Sequence, residues 1–381
     1  MLKTFLDAKP LYYDEIDYTR MPRVYEKIKS KLKLPKIIHL IGTNGKGTTG
    51  RFLATALYNL GYNTGHYTSP HIIDFNERIW LNGADVSLKQ LEQAHIKLLD
   101  ILDKSDASTL SYFEYTTLLA MVEYQECEYL VLEAGLGGEH DATAVFEKVL
   151  TLVTPIDLDH EAFLGSTLEE IARTKLNAIQ NNAILAAQEH LDVYKIAKEL
   201  EAQKNVKIYK KEMFLSQKDL EKIQAISKNL SLVSYLEDNL SLAISALNFL
   251  NIKYEIDSFH NARLFGRLTQ LDENILLDVG HNTLAAQKIA ESLAGEQYVL
   301  VYNSYKDKNY AQILKLLKPI ILEVDIIKVN ESRIEKKEIL EKTLDDLEII
   351  YKDYQGIKKD TKYLVFGSFS VIESFLKGYS G

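Results

Sequence analysis

A lysine set among glycines follows a short apolar run near the beginning of the chain. Residues 37–49 read Ile-Ile-His-Leu-Ile-Gly-Thr-Asn-Gly-Lys-Gly-Thr-Thr. Glycines let backbone N–H groups approach phosphate oxygens closely, and the N-terminus of a following helix adds partial positive charge. Lys46 could contact the terminal phosphates, and the Thr48 hydroxyl could reach a Mg²⁺ ion. These residue types therefore predict a phosphate-binding loop.

The spacing of this loop differs from the usual nucleotide-binding pattern. Gly42 stands four residues before Lys46, and Gly47 lies between Lys46 and Thr48. A glycine turn that enters a helix with an exposed lysine is the alternative interpretation. The preceding apolar run favours phosphate binding, because the motif requires a buried strand before the loop and a helix after it.

Two further apolar runs end in polar side chains that could bind metal. Glu133 follows residues 129–132 and precedes a glycine turn, and His160 follows residues 149–156. Open α/β sheets bind ligands at the carboxyl ends of their strands, where a carboxylate can hold Mg²⁺. We therefore expect Glu133 and His160 at the same sheet edge as Lys46. An acidic residue that merely ends a strand, and a structural histidine, are the alternatives.

Alternating strand-like and helix-like segments must position these side chains. The alternation restarts after residues 251–262, which predicts two domains, 1–254 and 263–381. The expected class is α/β, with a P-loop-type, mostly parallel sheet in the N-terminal domain. A smaller, Rossmann-like, doubly wound domain is expected at the C-terminal end.

Cap residues predict where two helices of the first domain begin. Ser166 with Glu169 matches a capping box, which would start a helix of residues 167–179. A second, apolar helix of residues 239–250 is expected to begin at its asparagine. On residue type alone, Lys175 is a solvated lysine on the surface of the first of these helices.

Composition and charge exclude several classes of protein. The 381 residues carry a net charge of −9, are 46% hydrophobic and 26% charged, and include one cysteine, Cys127. The negative charge argues against a nucleic-acid partner, and one cysteine excludes an intrachain disulfide. The first residues lack the apolar core of a signal peptide, and no run approaches the roughly 18 apolar residues that span a bilayer. We expect a soluble, cytoplasmic monomer with no membrane partner.

Six segments in chain order carry a resemblance to a known family. They are Gly42-Thr43-Asn44-Gly45-Lys46-Gly47-Thr48, Tyr67-Thr68-Ser69-Pro70-His71, Asn76-Glu77-Arg78-Ile79, Leu132-Glu133-Ala134-Gly135-Leu136-Gly137-Gly138, Leu158-Asp159-His160 and Asp278-Val279-Gly280-His281-Asn282. Together they resemble the folylpolyglutamate synthase/dihydrofolate synthase family of the Mur ligase superfamily. The glycine loop alone indicates only the superfamily. The second and third segments are what indicate the folate branch.

The resemblance implies an ATP-dependent amide ligase. The carboxylate of dihydropteroate, of a reduced folate or of both would attack the γ-phosphate of ATP. The amine of L-glutamate would then capture the acyl phosphate, with ADP and phosphate as products. ATP and Mg²⁺, as two ions, are the implied cofactors. Catalysis of this kind depends on positioning and charge neutralisation.

The resemblance also implies the residues of the nucleotide and metal sites. The phosphate-binding residues would be Gly42, Thr43, Asn44, Gly45, Lys46, Gly47, Thr48 and Thr49. Thr48 and Glu133 would bind the first Mg²⁺, and Ser69 and His160 the second. Lys175 falls where the family carries a lysine carbamoylated by CO₂, which would add a carboxylate to the second metal site.

Further implied residues lie in the second domain, in the helix expected at residues 239–250 of the first domain, and in the acceptor pocket. Arg267 would reach the γ-phosphate, Asp278 and His281 would face nucleotide and glutamate, and Asn239 would contact the adenine. The implied acceptor pocket consists of Pro70, His71, Phe113, Asp141 and Ala142. The implied catalytic set is Lys46, His160, Lys175, Asp278 and His281.

The chain departs from the family pattern in several places. Glu139 and His140 follow the glycine turn where the family usually has a basic residue first. Leu176 and Asn177 replace the small pair that usually follows the lysine. Residues 180–235 match poorly and suggest no chemistry.

Two other functions stay open on the sequence. A peptidoglycan-precursor ligase would need an additional N-terminal domain for a UDP group, and about 36 residues precede the glycine loop. A regulatory protein that senses or hydrolyses ATP without ligation would not need the set formed by Arg267, Asp278 and His281.

Overall fold

The chain forms two compact units, each with its own sheet and hydrophobic core. The computed structural model describes residues 1–9 and 17–379. The units are Met1–Arg263 and Leu264–Gly381. Each sheet is mostly parallel and alternates with helices along the chain, so the expected α/β class is confirmed. The domain limits 1–254 and 263–381 stay a prediction.

The first unit contains an eight-stranded sheet among the described residues. Its strands are β1 Lys36–Ile41, β2 Thr64–Tyr67, β3 Ile79–Leu81, β4 Ala84–Asp85, β5 Tyr129–Glu133, β6 Leu150–Val153, β7 Asn182–Leu185 and β8 Lys207–Lys210. Its helices are α1 Leu2–Asp7, α2 Arg20–Ile28, α3 Lys46–Asn59, α4 Leu88–Ile101, α5 Lys104–Thr109, α6 Tyr112–Glu123, α7 Glu161–Leu164, α8 Leu168–Leu176, α9 Leu191–Lys204, α10 Gln217–Leu230 and α11 Ser234–Phe249. The strand order is β4-β3-β2-β5-β1-β6-β7-β8. The pairs β2–β3 and β3–β4 are antiparallel, and the other pairs are parallel.

Strand β1 lies at the centre of this sheet because its apolar residues are buried on both faces. Ile37 packs into a core shared with α4 and α6. Ile38 and Leu40 point to the opposite face and pack with residues of α3 and α11. An uninterrupted apolar run is what burial on both faces requires.

The register of the central strands sets the position of the loops that follow them. Leu40 of β1 lies opposite Glu133 of β5, and Ile41 lies opposite Val153 of β6. Tyr67 of β2 lies opposite Leu132 of β5. The chain therefore leaves β1, β2, β5 and β6 at one edge, as expected for parallel strands.

The second unit contains a six-stranded sheet of order β13-β12-β11-β14-β10-β9 among the described residues. Its strands are β9 Thr269–Asp272, β10 Ile275–Asp278, β11 Tyr298–Tyr302, β12 Ile321–Ile326, β13 Tyr351–Asp353 and β14 Tyr363–Phe366. Its helices are α12 Thr283–Ser292, α13 Tyr310–Leu317, α14 Lys337–Asp346 and α15 Phe369–Gly378. Only the β9–β10 pair is antiparallel in this described sheet.

Two helix starts differ from those expected. Helix α8 is capped by Thr167 with Glu170, one residue later than the predicted pair of Ser166 and Glu169. Helix α11 begins at Ser234, so Asn239 lies inside it and not at its beginning. Apolar side chains spaced along one face extend this helix: Leu236, Leu240, Ala243 and Leu247 are all buried.

No helix in the described part of the chain combines the length and apolar character needed to cross a bilayer.

Candidate active site

The predicted phosphate-binding loop connects β1 to α3, with its glycines where side chains would not fit. Gly42 and Gly45 have φ angles of 135° and 89°, which favour glycine. A Cβ atom on Gly42 would lie 2.1 Å from Thr154 Oγ1, and one on Gly45 would lie 2.4 Å from Asn239 Oδ1. The strand, glycine turn and helix are thus arranged as expected, and phosphate binding by this loop stays a prediction.

Backbone hydrogen bonds divide the loop into a tethered part and an open part. The N–H groups of Thr43 and Asn44 both donate to Pro155 O, at 2.9 and 3.4 Å. Thr43 Oγ1 donates to Asp157 O at 3.0 Å and ties the loop to the segment after β6. The first N–H groups of a helix have no partner within that helix. Those in the first turn of α3 are therefore the donors suited to a phosphate.

Lys46 folds back over this loop. Its Nζ donates to the carbonyls of Gly42 and Thr43, at 3.2 and 3.3 Å, and lies 4.0 Å from Glu133 Oε1. Thr48 and Thr49, on the first turn of α3, are buried. The structure thus brings Lys46 and Glu133 together at the edge where the sequence placed both.

The second polar loop, after β2, lies against Glu133. This carboxylate is 5% exposed, and its Oε2 accepts hydrogen bonds from Thr68 Oγ1 and from Ser69 N, the latter at 3.4 Å. The contact follows from the pairing of β2 with β5. Ser69 and Glu133, both predicted metal ligands, are therefore neighbours.

His160 lies at the start of α7, after β6. Its φ angle is 54°, and its N–H donates to Asp159 Oδ1 at 2.9 Å. Its Nε2 lies 3.7 Å from Asp159 Oδ2. The side chain is about one-third exposed, and so stays accessible to a ligand.

Lys175 is buried, so the expectation of a solvated surface lysine is wrong. The residue is 3% exposed, and its Nζ donates to Gly42 O at 3.0 Å. Burial, aided by the charge of Lys46, lowers the pKa of Lys175 to about 7. A Cβ atom on Gly138 would lie 2.5 Å from Lys175 O, so the glycine turn after β5 packs against the end of α8.

The predicted acceptor pocket contains an aromatic ring beside a buried carboxylate. Phe113 lies over Gly135, where an added Cβ would meet its Cζ at 2.4 Å. Asp141 Oδ1 accepts hydrogen bonds from the N–H and the hydroxyl of Thr143, at 2.9 and 2.6 Å. Asp141 Oδ2 accepts from Leu136 N at 2.8 Å. Burial raises the pKa of Asp141, and the neighbouring Ala142 is also buried.

Two buried residues behind Asp141 were not predicted from the sequence. His39 Nε2 lies 2.8 Å from Thr143 Oγ1, whose proton goes to Asp141, so His39 Nε2 must donate. Lys148 is 1% exposed and donates to Ala144 O at 2.5 Å. Burial lowers the pKa of Lys148 to about 7. The one feature of the sequence that could have pointed to these residues is the presence of a histidine, His39, within an otherwise apolar strand.

His71 contacts Arg78, a residue of the polar turn that precedes β3. Arg78 Nε donates to His71 Nδ1 at 2.8 Å. Burial and the charge of Arg78 lower the pKa of His71 to about 4. Pro70, which precedes His71, follows a cis peptide bond.

The predicted residues of the second unit lie around the carboxyl end of β10. Asp278 accepts hydrogen bonds from the N–H groups of Leu268 and Gly280, at 2.8 and 2.7 Å. His281 Nδ1 donates to Val279 O at 3.1 Å. Arg267 lies over the ring of Phe369, 5.3 Å from its centroid. These residues share one edge of their sheet, and their predicted roles toward nucleotide and glutamate stay predictions.

Comparison with known proteins tests the resemblance independently. No family model matches the chain. A dihydrofolate synthase/folylpolyglutamate synthase from Buchnera aphidicola (subsp. Schizaphis graminum) is 32% identical over 368 residues, which cover 88% of this chain and 86% of the relative. The crystal structure of Helicobacter pylori folylpolyglutamate synthetase is 37% identical, covers 99% of this chain and 97% of its own, and has a TM-score of 0.80.

A third protein shares the fold at lower identity. The bifunctional folylpolyglutamate synthase/dihydrofolate synthase of Yersinia pestis, solved with AMPPNP and a manganese ion, is 23% identical. It covers 99% of this chain and 97% of its own, with a TM-score of 0.82. The resemblance drawn from the six segments is confirmed, and the chain belongs to the dihydrofolate synthase/folylpolyglutamate synthase family.

Proposed function

We propose that this protein is an ATP-dependent ligase that joins L-glutamate to dihydropteroate, to a reduced folate or to both. The acceptor carboxylate attacks the γ-phosphorus of ATP, and ADP leaves. The glutamate amine then attacks the acyl carbon, and phosphate leaves with the loss of one amine proton. The observation that carries this proposal is the cluster of Lys46, Glu133, Ser69 and Lys175 at one edge of the first sheet, in a chain of this family.

Each part of the cluster has a chemical task in such a reaction. The first-turn N–H groups of α3 and Lys46 bind the terminal phosphates and offset their charge. Phe113 offers a flat apolar face for a pterin ring, and Asp141 offers a carboxylate to the ring's hydrogen-bonding edge. Positioning matters most, because the reaction brings three substrates together.

The residues at this edge suit a divalent cation. Glu133, Ser69 and Thr48 supply oxygen ligands, which Mg²⁺ prefers, and His160 adds an imidazole nitrogen, a common ligand of divalent metal ions. When bound, the ion neutralises phosphate charge. We propose that Thr48 and Glu133 hold one Mg²⁺ ion and that Ser69, His160 and Lys175 hold a second.

We also propose that Lys175 carries a carbamate, formed when its neutral amine bonds to the carbon of CO₂ and one proton is released. Lys175 and Lys46 both donate to the carbonyl of Gly42. Two ammonium groups that share one carbonyl repel each other in a buried site. The carbamate would replace one of these cations with an anion and supply oxygen ligands to a metal ion.

Carbon-13 NMR of protein equilibrated with ¹³C-bicarbonate tests the carbamate. A carbamate signal is expected for the wild type and for Lys148→Met, which removes another buried lysine. The signal should be lost in Lys175→Met. Persistence of the signal in Lys175→Met, or its absence from the wild type, would contradict the assignment.

The ligase proposal is tested by ADP release and product mass with ATP, Mg²⁺ and L-glutamate. Dihydropteroate and tetrahydrofolate serve as acceptors in parallel reactions. A product from both acceptors identifies a bifunctional enzyme, and a product from one names the activity. Absence of glutamylated product from both, in a protein that still binds ATP, would overturn the proposal.

We further propose that the protein works as a cytoplasmic monomer with small-molecule substrates alone. The support is its net charge of −9 and its single, buried cysteine. Sedimentation equilibrium should give the mass of one chain, and a mass of two chains would contradict the monomer.

A further inference from the structure

Lys148 is a fully buried lysine to which the proposed reaction gives no task. The residue is 1% exposed, and its Nζ donates to Ala144 O at 2.5 Å. Burial of an ammonium group is costly unless a partner compensates for the lost hydration, so charged side chains are rarely buried without one. A cation at this place therefore requires a compensating group nearby.

Hydrogen bonds fix the Lys148 backbone relative to the segment before β7. Lys148 N donates to Gln180 Oε1 at 3.2 Å, and Asn181 Nδ2 donates to Lys148 O at 2.7 Å. Gln180 Nε2 also donates to Ala144 O at 3.1 Å, so this carbonyl accepts from the side chains of both Gln180 and Lys148. The lysine side chain is consequently held against the turn that contains Ala144.

The same turn holds Asp141. Residues Ala142–Val145 form a short 3₁₀ helix that is capped by Asp141, whose Oδ1 accepts from Thr143 N at 2.9 Å. The Lys148 ammonium donates to a carbonyl of this helix, and the Asp141 carboxylate accepts from one of its N–H groups. A cation and an anion are therefore bound to one rigid turn.

Titratable groups on β1, β2 and α8 face this pair of charges. Burial, and then the charge of Lys148, lower the pKa of His39 on β1 well below its ordinary value. Tyr67 on β2 and Lys175 on α8 face Asp141. Burial raises the pKa of Tyr67, so neither His39 nor Tyr67 changes its charge near pH 7.

The charged forms of Asp141 and Lys148 favour each other. Burial raises the pKa of Asp141, which means that its surroundings disfavour the carboxylate. Burial lowers the pKa of Lys148 to about 7, and the negative charge of Asp141 opposes this shift. Because the attraction is mutual, a protonated Lys148 must favour the ionised form of Asp141. This effect is present below pH 7, where Lys148 carries its proton.

We propose that Lys148 is a positioning residue that keeps Asp141 in its carboxylate form for the acceptor. The inference rests on the proposed function, in which this carboxylate accepts hydrogen bonds from the pterin ring. A protonated Asp141 would lose its negative charge and would bind the ring N–H groups less well. Lys148 is too deeply buried to touch a substrate, so it acts through Asp141.

The titration of Asp141 is the direct test, and it needs no substrate. Carbon-13 NMR of protein labelled at the aspartate side-chain carbonyl follows the carboxyl group, and Asp141→Asn identifies its signal. We expect the pKa of Asp141 to be about one unit higher in Lys148→Met than in the wild type, because a nearby cation is removed. An unchanged titration of Asp141 would overturn the proposal.

Lys148→Gln separates the charge from the hydrogen bond, and it takes the place of Lys148→Met if that variant fails to fold. Glutamine can still donate to Ala144 O but carries no charge. The pKa of Asp141 should therefore rise as it does in Lys148→Met. A wild-type titration of Asp141 in Lys148→Gln would contradict a role for the charge.

Acceptor binding at two pH values gives a second readout. Dissociation constants for dihydropteroate are measured by titration calorimetry with ADP and Mg²⁺ present. At pH 6, Lys148→Met should bind the acceptor more weakly than the wild type, by up to about tenfold, the limit set by one pKa unit. At pH 8.5 Lys148 has lost its proton, and the two proteins should bind equally. Equal weakening at both pH values would indicate lost packing and would contradict the proposal.

Lys211→Met is the matched control. Lys211 is also buried, at 6% exposure, but its Nζ pairs with Asp238 at 2.8 Å. Neither the titration of Asp141 nor the pH dependence of acceptor binding should differ from the wild type in this variant. Changes as large as those in Lys148→Met would mean that removal of any buried lysine has the effect, and the specific role of Lys148 would be refuted.

Glutamate ligation is measured separately, so that the two proposals can fail independently. If Lys148→Met shifts the titration of Asp141 but the wild type forms no glutamylated product, only the proposed function fails. If the wild type forms the product but Asp141 titrates alike in both proteins, only the role of Lys148 fails.

Discussion

At the residue scale, the site is built from buried polar groups whose hydrogen bonds determine one another. Asp141 receives the proton of the Thr143 hydroxyl, and Thr143 in turn receives a proton from His39. His71 is fixed in the same manner by Arg78. In each case a group that can only accept or only donate hydrogen bonds determines whether its neighbour donates or accepts. The family resemblance singled out Asp141 and His71, whose roles stay predictions, but their supporting residues depend on contacts between distant segments.

Thr143→Val tests the support of the acceptor pocket. The change removes the donor to Asp141 at nearly constant volume, so the carboxylate is less firmly held. We expect the KM for the acceptor to rise about tenfold, since a hydrogen bond to a charged group is lost, with the KM for ATP unchanged. Steady-state kinetics measure both constants.

Thr151→Val is the control for that experiment. Thr151 is equally buried, but its hydroxyl has no hydrogen-bond partner. Its removal should leave both KM values unaltered. A rise in the acceptor KM of the same size in both variants would contradict a positioning role for Thr143.

Lys148 should make stability depend on pH. Its folded pKa of about 7 lies below the ordinary lysine value of 10.5 because the side chain is buried. Between these values the unfolded chain binds the proton and the folded chain does not, so stability rises with pH across this window. Urea unfolding should show the wild type gaining stability relative to Lys148→Met from pH 7 to pH 9. The same comparison with Lys198→Met, at an exposed lysine, should show no such trend.

At the element scale, the long apolar runs were predictable and the exact helix starts were not. Continuous apolar runs define β1, β5 and β6, because both faces of these strands are buried. The start of α8 was placed one residue early, because two adjacent capping residues each have a glutamate three positions later. Short edge strands such as β4 contain too few residues to show an alternation of apolar and polar side chains.

The burial of Lys175 shows a further limit of sequence patterns. A lysine on an amphipathic helix is ordinarily solvated. Here α8 packs beside the glycine loop, and Lys175 reaches the carbonyl of Gly42. Gly42 and Lys46, which lie near the Lys175 amine, are more than a hundred positions away in the sequence. The local pattern therefore gave no reason to single out Lys175, and only the family resemblance did.

Thr167→Ala tests the cap that the structure assigns to α8. The Thr167 hydroxyl accepts from Glu170 N at 3.2 Å and donates to Glu170 Oε2 at 3.0 Å. Loss of this cap should lower the free energy of unfolding by about 1 kcal/mol. Ser166→Ala, at the cap position expected from the sequence, should lower it less. Urea unfolding measures both free energies. A larger loss in Ser166→Ala than in Thr167→Ala would favour Ser166 as the cap of α8.

At the scale of the whole molecule, each unit has what independent folding requires. The core of the second unit includes Leu300, Leu314, Leu340 and Phe366, all buried. A domain of this size can bury enough apolar surface to fold alone.

Residues 264–381, expressed alone, should therefore fold. Circular dichroism should show a cooperative thermal transition, as is usual for a small domain. Leu300→Ala should lower the midpoint, because it leaves a cavity beside β11. A gradual loss of signal without a transition would show that the second unit depends on the first.

The contacts of Lys46 have a consequence for how a nucleotide is bound. In the structure this ammonium holds two carbonyl oxygens, those of Gly42 and Thr43. A bound phosphate would replace these two carbonyl oxygens with its own oxygens, so the number of contacts to Lys46 would stay nearly constant. The attraction would change, however, from one between a charge and a dipole to one between two charges. Salt screens the attraction between two charges far more than the attraction between a charge and a dipole. Raising the ionic strength should therefore weaken ATP binding more than it weakens binding of adenosine, which lacks phosphates.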